Sequence, residues 1–480
     1  MQFERTGIKA VLKHMQAWTT IHRGNHMRRC APLIAIVLFT IWFGSPHAQD
    51  INHARQLFEQ ALEVLKITPP QPEPIATPGA FTAALEAAAP GAVLQLAPEF
   101  SYPDALTIRK PVTVQGVTGS DRMDLDTPMP KFTGGLTLAG DDVTVRGVEV
   151  RRSTVGDIVV LRGARVTLER SRVLGDPVKG VKRCVQTNGK GDVKVLRNYV
   201  ADCFLPSPGQ DSQAIGGWEM DPGLLIEDNY LEGGSETIMF GGADSSSDDK
   251  TPADIVIRGN TIGKKLAWFG QAIGVKNVLE LKNAKRVLIE KNDFCCSWTQ
   301  GQVGFGLTLT VRNQDGGAPW STIQDVTIRN NTWRDIASAI AILGRDDIKE
   351  TREGRDVPIG TVRRSVPMAR VTISGDTFAL DPVKYGKGNT NSKAIQIGGG
   401  PIALTIENVT ITSASRVGSA LSFPAGPIVS GFRFINVTVP ASRYGLFGDA
   451  STVAAANWTA TNPTWMKYVQ DGTIENVTVR

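Results

Sequence analysis

The sequence predicts an all-β protein that folds as a parallel β-helix, a solenoid of stacked coils. A short phrase recurs eleven times between Val143 and the C-terminus, and its starts lie about 23 to 45 residues apart. Each copy alternates apolar and polar residues, which is the period of a strand with one buried face. A further strand-like segment precedes the phrase after a variable loop, so that each coil would hold three short strands. A unit of this length with strands in each copy is typical of a solenoid.

The phrase reads apolar, any residue, apolar, two polar or small residues, then Asn or an apolar residue, any residue, apolar. The two residues in its middle break the alternation, so the chain must turn there before a second strand begins. A β-sandwich predicts turns at intervals of about 8 to 12 residues, which is shorter than the spacing observed. The copies are 143–150, 166–173, 193–200, 224–231, 255–262, 287–294, 326–333, 371–378, 404–411, 432–439 and 472–479.

An amide or carboxylate side chain ends the turn in six of the copies. Asn tolerates left-handed backbone geometry and satisfies local backbone groups, as a tight turn requires. In stacked coils these side chains would lie above one another and bond from coil to coil. A single coil cannot bury its apolar face alone, so we expect one core that is continuous along the solenoid. The six residues are Asn198, Asn229, Asn260, Asn292, Asn331 and Asp376.

From about residue 75 to residue 480 the pattern resembles the right-handed parallel β-helix superfamily of pectin-lyase-like proteins. In that superfamily a short helix caps the N-terminal end of the solenoid, where unpaired strand edges would otherwise invite aggregation. Residues 81–89 are rich in Ala and are predicted to form such a helix. The resemblance therefore implies a right-handed solenoid with an N-terminal capping helix.

The N-terminal residues predict export. Residues 1–48 read as a signal peptide or leader, because Arg28 and Arg29 precede an apolar stretch and a small residue, Ala48. Met27 is the better start codon, since the residues before it add nothing that a signal requires. The alternative is an uncleaved membrane anchor, for which fourteen apolar residues are short.

The rest of the chain divides into a connecting segment and the solenoid. Residues 49–78 are expected to hold a helical stretch and a stiff Pro-rich linker, and residues 79–480 the β-helix domain. Cys184 and Cys203 lie within one predicted coil and would pair in an oxidising compartment. We therefore expect a secreted or periplasmic monomer that has no membrane association once the leader is removed.

The charge balance does not favour a nucleic-acid partner. The formal net charge is +5, but residues 1–48 hold six basic residues and one acidic residue. From residue 49 onward the chain has 46 basic and 46 acidic residues. Because nucleic-acid-binding domains usually show a basic excess, the near-neutral balance removes the support for that class.

The positions of the histidines restrict the chemistry. All five lie at or before residue 53, and the predicted β-helix has none. A Ser-His-Asp triad and a His-ligated metal are therefore excluded from the solenoid. A general base there must be Lys, Arg, Tyr or a carboxylate.

The least repetitive part of the solenoid lies between residues 236 and 331. If Leu279 and Leu281 point into the core, Glu280 and Lys282 point outward together, and the next strand presents Arg312 in the same way. On consecutive coils Lys282 and Arg312 would lie side by side, about 4.8 Å apart. Like charges so close are unfavourable unless a carboxylate or an anionic substrate shares the site.

The segments Glu280-Leu-Lys282 and 307–312 resemble the alginate lyase and chondroitinase B family of polysaccharide lyases. The resemblance implies β-elimination on a uronate-containing polysaccharide. Lys282 would remove the C5 proton, and Arg312 or a water would protonate the leaving oxygen. A cation or Ca²⁺ would neutralise the substrate carboxylate.

The same resemblance suggests further residues for the site. Hard oxygen donors suit Ca²⁺, and the candidate ligands are Glu236, Asp244 and Glu280. Trp298 and Trp320 are expected to stack on sugar rings. Asn313 and Gln314, which follow Arg312, complete the substrate-binding set.

Two classes of function remain open at this level. The first is an exported polysaccharide lyase, and the second is an exported β-helix protein that binds glycans or has a structural role without catalysis. A Lys and a Glu on one strand face are often only a solvated pair, and Glu236 shares the parity of the apolar Ile238 and Phe240. Long predicted loops at 244–254, 263–276 and 344–369 favour a functional site, because loops on a rigid scaffold commonly carry function.

Overall fold

The computed structural model describes residues 73–116, 125–152, 154–313, 316–349, 362–387, 392–424, 427–444 and 465–480. The predicted leader, 1–48, and the part of the connecting segment up to residue 72 lie outside the described residues. Residues 74–480 form one compact unit. Among the described residues no helix is both long enough and apolar enough to cross a membrane.

Three long parallel sheets make up the unit, and consecutive strands of the chain belong to different sheets. Strands of neighbouring coils pair in register, so that Ile255, Val287 and Val326 follow one another along the core. The first sheet has fifteen described strands: β1 (Val93–Leu96), β4 (Thr113–Gly116), β7 (Thr144–Arg146), β10 (Thr167–Glu169), β13 (Val193–Leu196), β16 (Leu224–Glu227), β19 (Ala253–Arg258), β22 (Ala284–Glu290), β25 (Ile323–Arg329), β30 (Ala369–Ser374), β33 (Ile402–Glu407), β36 (Val429–Ser430), β37 (Arg433–Ile435), β39 (Val469–Gln470) and β40 (Thr473–Glu475).

The second sheet has thirteen strands in the described part of the chain: β2 (Ser101–Tyr102), β5 (Lys131–Phe132), β8 (Glu149–Arg151), β11 (Arg172–Leu174), β14 (Tyr199–Cys203), β17 (Tyr230–Gly233), β20 (Thr261–Gly263), β23 (Asp293–Ser297), β26 (Thr332–Ile336), β31 (Thr377–Leu380), β34 (Thr410–Ser413), β38 (Thr438–Val439) and β41 (Thr478–Val479). The third sheet has eleven: β3 (Leu106–Ile108), β6 (Leu136–Leu138), β9 (Asp157–Leu161), β12 (Arg183–Gln186), β15 (Gln213–Gly217), β18 (Ile238–Phe240), β21 (Asn277–Leu281), β24 (Phe305–Thr310), β27 (Ser338–Leu343), β32 (Lys393–Gly398) and β35 (Ser419–Ser422). Outside the solenoid, β28 (Asp347–Lys349) and β29 (Val362–Arg364) form an antiparallel pair.

This topology confirms the predicted fold, a right-handed parallel β-helix. In every copy of the phrase the first half forms a strand of the first sheet and the second half a strand of the second sheet, as in β22 and β23. The segment between copies supplies the strand of the third sheet. Parallel strands joined by crossovers within one sheet take the right-handed connection almost without exception.

The predicted amide ladder is present and buried. The Asn229 side-chain oxygen accepts hydrogen bonds from the backbone N–H and the side-chain amide of Asn198, at 2.8 and 3.0 Å. Asn260 receives the same pair from Asn229, both at 2.9 Å. The ladder continues through Asn292 and Asn331 and ends on Asp376. Because these groups are buried, the ladder satisfies polar atoms that would otherwise be costly.

The left-handed residue of each turn is the one before the ladder position, and in this detail the sequence prediction was wrong. Asp228 has a φ of 56° and Lys291 a φ of 55°, while Asn229 and Asn292 do not have a positive φ. The Asn229 amide donates to the carbonyl oxygen of Glu227 at 3.0 Å. The ladder residue must direct its side chain inward for this bond, so its neighbour makes the left-handed turn.

The N-terminal cap begins earlier than the sequence suggested. Helix α1 spans Pro78–Ala87, because the Thr77 hydroxyl accepts a hydrogen bond from the Ala80 N–H and Pro78 suits the first turn. Phe81 is fully buried against Phe100 and Phe132, with ring centroids 5.5 and 5.9 Å apart. The helix therefore covers the end of the core, as predicted.

A second apolar cluster forms separately from the main core. It forms from the loop after β14, the loop between β20 and β21, the end of β23 and the short helix α2 (Pro382–Tyr385). We call it the outer cluster; its members are Phe204, Trp268, Ile273, Val275, Cys295, Cys296, Trp298, Ala337 and Tyr385.

The described residues contain two disulfides. Cys184 and Cys203 are joined within one coil, as their predicted placement suggested. The adjacent Cys295 and Cys296 in the outer cluster are also joined, a pairing that their sequence spacing did not indicate.

Candidate active site on the third sheet

The candidate site lies on the outward face of the third sheet, around β18, β21 and β24. Glu280 on β21 is in register with Met239 on β18 and with Thr308 on β24. These three residues are between 3% and 7% exposed, although they do not point into the core. This part of the outward face is therefore largely shielded from solvent, and we call it the walled face.

Glu280 and Lys282 face outward together, as predicted. The Lys282 ammonium lies 3.7 Å from a carboxylate oxygen of Glu280, and the Lys282 side chain is 16% exposed. The side-chain amide of Asn277 donates a hydrogen bond to the same oxygen at 3.0 Å. Glu280 is thus a buried carboxyl held between an amide and an ammonium.

The pKa of Glu280 is raised to about 7, chiefly by burial and also by the nearby charge of Glu236, whereas Lys282, the Asn277 hydrogen bond and Lys276 act in the opposite direction. A carboxyl that changes its charge near neutral pH and lies on a walled face is a recognised mark of a functional site. The cause is mainly desolvation, which disfavours the charged form.

A second charged group lies beside the first and was missed by the sequence reasoning. The Lys276 ammonium lies 2.5 Å from a carboxylate oxygen of Asp211 and 3.3 Å from an oxygen of Glu236. Burial acts against the charge of Lys276, but Glu236 and Asp211 outweigh it and raise the pKa of this lysine. Lys276 precedes β21 and has no place in the repeated phrase, so only its position next to Asn277 could have drawn attention to it.

Glu236, whose orientation the sequence left open, is fully buried. Its second oxygen accepts a hydrogen bond from the side-chain amide of Gln213 at 2.9 Å. It therefore contacts polar side chains of the neighbouring coil and Lys276. We call this line of contacting polar side chains on the third sheet the polar row.

That polar row continues towards the N-terminal coils. Arg183 donates hydrogen bonds to Gln213 and to Asp157, both at 3.1 Å, and its guanidinium lies 5.0 Å from the ring centroid of Trp218. Burial lowers the pKa of Arg183, against the effect of Asp157. A chain of hydrogen-bonded and ion-paired side chains thus runs from Asp157 to Lys276.

Lys264 is another buried cation that the sequence analysis did not identify. It is 4% exposed, and its ammonium lies 3.3 Å from both the Gly233 carbonyl oxygen and the Thr237 hydroxyl. Burial lowers the pKa of Lys264 to about 7, while the charge of Glu236 acts in the opposite direction. Lys264 comes directly after β20, which ends one copy of the phrase. Nothing in the sequence distinguishes it from an exposed lysine.

Arg312 lies on the coil next to Lys282, as predicted. The Arg312 backbone N–H donates a hydrogen bond to the Lys282 carbonyl oxygen at 2.9 Å. The Arg312 guanidinium lies 3.5 Å from a carboxylate oxygen of Asp346, and its side chain is 36% exposed. Each of the two neighbouring cations therefore has its own carboxylate, Glu280 for Lys282 and Asp346 for Arg312, which relieves their repulsion.

Asn313 and Asp244 have scaffold contacts in the structure. Asn313 is fully buried; its N–H donates to Asp346 at 2.9 Å, and its side-chain oxygen accepts from the Ala318 N–H at 2.9 Å. Asp244 accepts a hydrogen bond from the Gly317 N–H at 3.0 Å. The side-chain oxygen of Asn313 therefore holds the loop after β24, and substrate binding by Asn313 stays a prediction.

The two tryptophans predicted to stack on sugars differ in their environment. Trp298 is 2% exposed and packs in the outer cluster against the ring edge of Phe269, 5.5 Å away. It offers no open ring face, so the prediction is wrong for Trp298. Trp320 is partly exposed and donates a hydrogen bond to the Ser245 hydroxyl at 2.9 Å. Gln314 lies outside the described residues.

The three carboxylates named as Ca²⁺ ligands do not form one site. Within the described part of the chain, the only three His, Cys, Asp or Glu donors within 4.8 Å of one another belong to Cys295, Cys296 and Asp335. Glu236 and Glu280 are instead paired with Lys276 and Lys282. The residues present therefore do not fit a Ca²⁺ ion held by Glu236, Asp244 and Glu280, because ammonium groups already neutralise the two buried carboxylates.

Comparisons with known proteins return likeness to solved structures only. No protein-family model matches the chain, and no curated protein matches it in sequence. The chain is similar to the Dettilon tailspike protein, at 13% identity and a TM-score of 0.39, over 74% of this chain and 61% of that chain. It therefore spans less than two thirds of the tailspike chain.

Two polysaccharide lyases are among the similar structures. One is a PL6 family polysaccharide lyase from Pseudopedobacter saltans, at 13% identity and a TM-score of 0.45, over 85% of this chain and 92% of that chain. The other is a mannuronic acid specific family 6 polysaccharide lyase from human gut microbiota, at 13% identity and a TM-score of 0.43, over 83% and 90% of the two chains. The fold assignment itself rests on the three parallel sheets.

Proposed function

We propose that this protein is a polysaccharide lyase that cleaves an acidic, uronate-containing polysaccharide by β-elimination. The observation that carries the proposal is the placement of Lys282 and Arg312 on adjacent coils, each beside its own carboxylate, on a walled outward face. The resemblance of Glu280-Leu-Lys282 and of segment 307–312 to the alginate lyase and chondroitinase B family supports it.

The unmet polar atoms beside this pair also support a polar ligand. Within the described residues, the Thr308 hydroxyl and the side-chain oxygen of Asn277 are buried and make no hydrogen bond. Both residues flank Glu280, one in register on β24 and one on β21. Buried polar groups are almost always paired, so a bound water that bridges these atoms to a sugar on the face would satisfy them.

In the proposed reaction the substrate carboxylate binds at the partly exposed Arg312 guanidinium, which lowers the cost of removing the C5 proton. The reactive form of Lys282 is the neutral amine, which has first released its proton to solvent. It takes the C5 proton, the C4–C5 double bond forms, and the bond between C4 and the leaving oxygen breaks. A water protonates the leaving oxygen. Glu280 is a positioning residue that fixes the Lys282 side chain at the edge of the face.

The test is a screen of the full chain against alginate, pectate, chondroitin, dermatan and hyaluronan. Elimination creates a conjugated double bond, so ultraviolet absorbance of the products rises on the true substrate. We expect a rise on at least one polymer, with unsaturated oligosaccharides in the products by mass spectrometry. No absorbance change on any uronate polymer would refute the lyase proposal. Binding without cleavage would favour a glycan-binding protein instead.

We also propose that the protein is exported. The Cys184–Cys203 disulfide supports this, because stable disulfides are typical of oxidising compartments. Expression of the full chain in a bacterial host, followed by detection of the processed protein in the periplasm or medium, tests the proposal. Retention of the unprocessed chain in the cytoplasm would contradict it.

A further inference from the structure

Trp218 and Lys282 occupy equivalent positions on two coils that are separated by one intervening coil. Gly217 is in register with Phe240, and Phe240 with Leu281, so Trp218, Gly241 and Lys282 leave the third sheet at the same position on successive coils. The rise between coils is about 4.8 Å, which places Trp218 and Lys282 roughly 10 Å apart along the solenoid. A disaccharide spans such a distance.

The residue between them at that position is a glycine, Gly241, and Gly242 follows it. Gly241 and Gly242 have φ values of 89° and 94°, a region that favours glycine. A Cβ atom on Gly241 would lie 2.6 Å from the Asn283 nitrogen and 2.9 Å from the Lys282 Cβ. The glycine pair is therefore required by the backbone, and it lies against the side chains of Met239 and Lys282. Because the pair adds no side chain of its own between Trp218 and Lys282, we call this segment the glycine gap.

The indole of Trp218 is held in place from one side. Its backbone N–H donates to the side-chain oxygen of Asn188 at 2.9 Å, and the Arg183 guanidinium lies over its ring. Arg183 is itself 5% exposed and fixed by Asp157 and Gln213. Because Trp218 is partly exposed and Arg183 covers one face, its exposed surface belongs to the other face and the ring edges.

Loop-to-loop contacts fix the segment that follows the glycine gap. Ser246 donates a hydrogen bond to Glu219, and Lys250 forms an ion pair with Asp221. The loop after β18 is thereby tied to the residues that follow Trp218. A partly exposed aromatic ring that is held on one side is a surface on which the apolar face of a sugar ring can stack.

We propose that the exposed face of Trp218 is a sugar-binding subsite, which stacks on the apolar face of one pyranose ring of the polysaccharide while the chain crosses the surface of the glycine gap towards Lys282. The inference rests on the proposed lyase function and deepens it. It predicts that the protein distinguishes oligosaccharides by length, because only those long enough to reach from Lys282 to Trp218 gain the stacking contact.

The test compares the wild type with Trp218→Ala and Trp218→Phe on uronate oligosaccharides of defined length, made from the polymer that the screen identifies. Trp218→Ala is expected to raise KM about tenfold for the longer oligosaccharides, the equivalent of about 1.4 kcal/mol. KM for the shortest cleaved oligosaccharide and kcat should not change. Trp218→Phe, which keeps a ring beside Arg183, should give a smaller effect. Tyr444→Ala is the control, because Tyr444 is 45% exposed and lies at the C-terminal end of the solenoid.

An equal change in KM at every length, or none, would overturn the subsite and leave the lyase function intact. If the screen shows no cleavage, binding of the same polymers to the wild type and to Trp218→Ala, measured by affinity electrophoresis, decides the matter. Weaker binding of Trp218→Ala supports the subsite without the lyase. Equal binding, or none, overturns it. Thermal melting of each variant checks that the fold is retained.

Discussion

The ammonium nitrogen of Lys282 lies 3.7 Å from a carboxylate oxygen of Glu280, and both groups belong to the outward face of one coil. Neither residue contributes to the core or to the amide ladder, so the solenoid has no need of them. The Lys282 carbonyl oxygen also accepts the backbone hydrogen bond of Arg312 on the next coil. The pair therefore sits at the point where the proposed elimination would occur.

Lys282→Ala should abolish most of the lyase activity. Removing a general base costs about 10² to 10⁴ in rate, and the initial rate of absorbance increase measures it. Lys194→Ala is the matched control, because Lys194 is an exposed lysine on the outward face of the first sheet. Activity of Lys282→Ala close to that of the control would remove Lys282 from the mechanism.

Glu280→Gln should change the pH dependence of the protein. Burial raises the pKa of Glu280 to about 7 from 4.5, so the folded state holds a proton that the unfolded chain has already released between these values. The stability contribution of this carboxyl therefore falls as the pH rises from about 4.5 to about 7. We expect Glu280→Gln to lose that part of the slope, measured as the free energy of unfolding against pH.

The same substitution has a kinetic consequence. An inflection near pH 7 in the pH–rate profile of the wild type should disappear in Glu280→Gln, because no carboxyl remains to titrate there. An unchanged inflection in the variant would assign it to another group.

Chelation should not affect the protein, because Lys276 neutralises Glu236 in place of a metal ion. We expect neither Tm nor activity to change when a strong chelator is added. Lys276→Met should lower the stability by about 1 to 3 kcal/mol, a value reduced for the partial exposure of this lysine, since it leaves a buried carboxylate unpaired. Lys250→Met, whose partner Asp221 is partly exposed, is the control and should cost less. Loss of activity on chelation would restore the metal hypothesis.

Asn260→Ala should destabilise the protein strongly. Asn260 donates to the Asn292 side chain at 2.9 Å and to the Ile226 carbonyl at 3.0 Å, and it accepts from Asn229. Its removal leaves several buried groups unpaired, at about 1 to 3 kcal/mol each. Asn436→Gly is the control, because Asn436 makes an exposed amide contact with Asn408 and Gly keeps its left-handed backbone. Urea unfolding measures the two changes, and similar losses would contradict the role given to burial.

Asp376 at the end of the ladder should make stability depend on pH below neutrality. Burial raises the pKa of Asp376 to about 6 from 3.8, although the hydrogen bonds from Asn331 and Trp333 act to lower it. The folded state therefore binds the proton more tightly, and stability falls as the pH rises from about 4 to about 6, by up to about 3 kcal/mol. Asp376→Asn should remove this slope, and an equal slope in the variant would contradict the assignment.

The sequence was most informative where one contact repeats. The apolar residues that open each phrase, such as Ile255, Val287 and Val326, pack against the same positions of the next coil. Asn229 and Asn260 meet for the same reason. A pattern that recurs along the chain recurs in space, because each coil repeats the one before it.

The site was only partly predictable because its partners come from different coils and loops. Lys276 meets Asp211, which lies on a loop before β15, and nothing in either segment signals the other. Trp298 was expected to be open to ligands, but the outer cluster buries it. Side chains that the repeat does not constrain are placed by loops whose lengths differ from coil to coil.

The sequence alone thus determined the solenoid, the amide ladder and the outward placement of Glu280 and Lys282, since each follows from strand alternation and stacking. Only the tertiary structure decided which charges pair, which tryptophan is buried and where Trp218 lies relative to the glycine gap. These outcomes depend on the distances between loops of separate coils, and burial then sets the charge of Glu280.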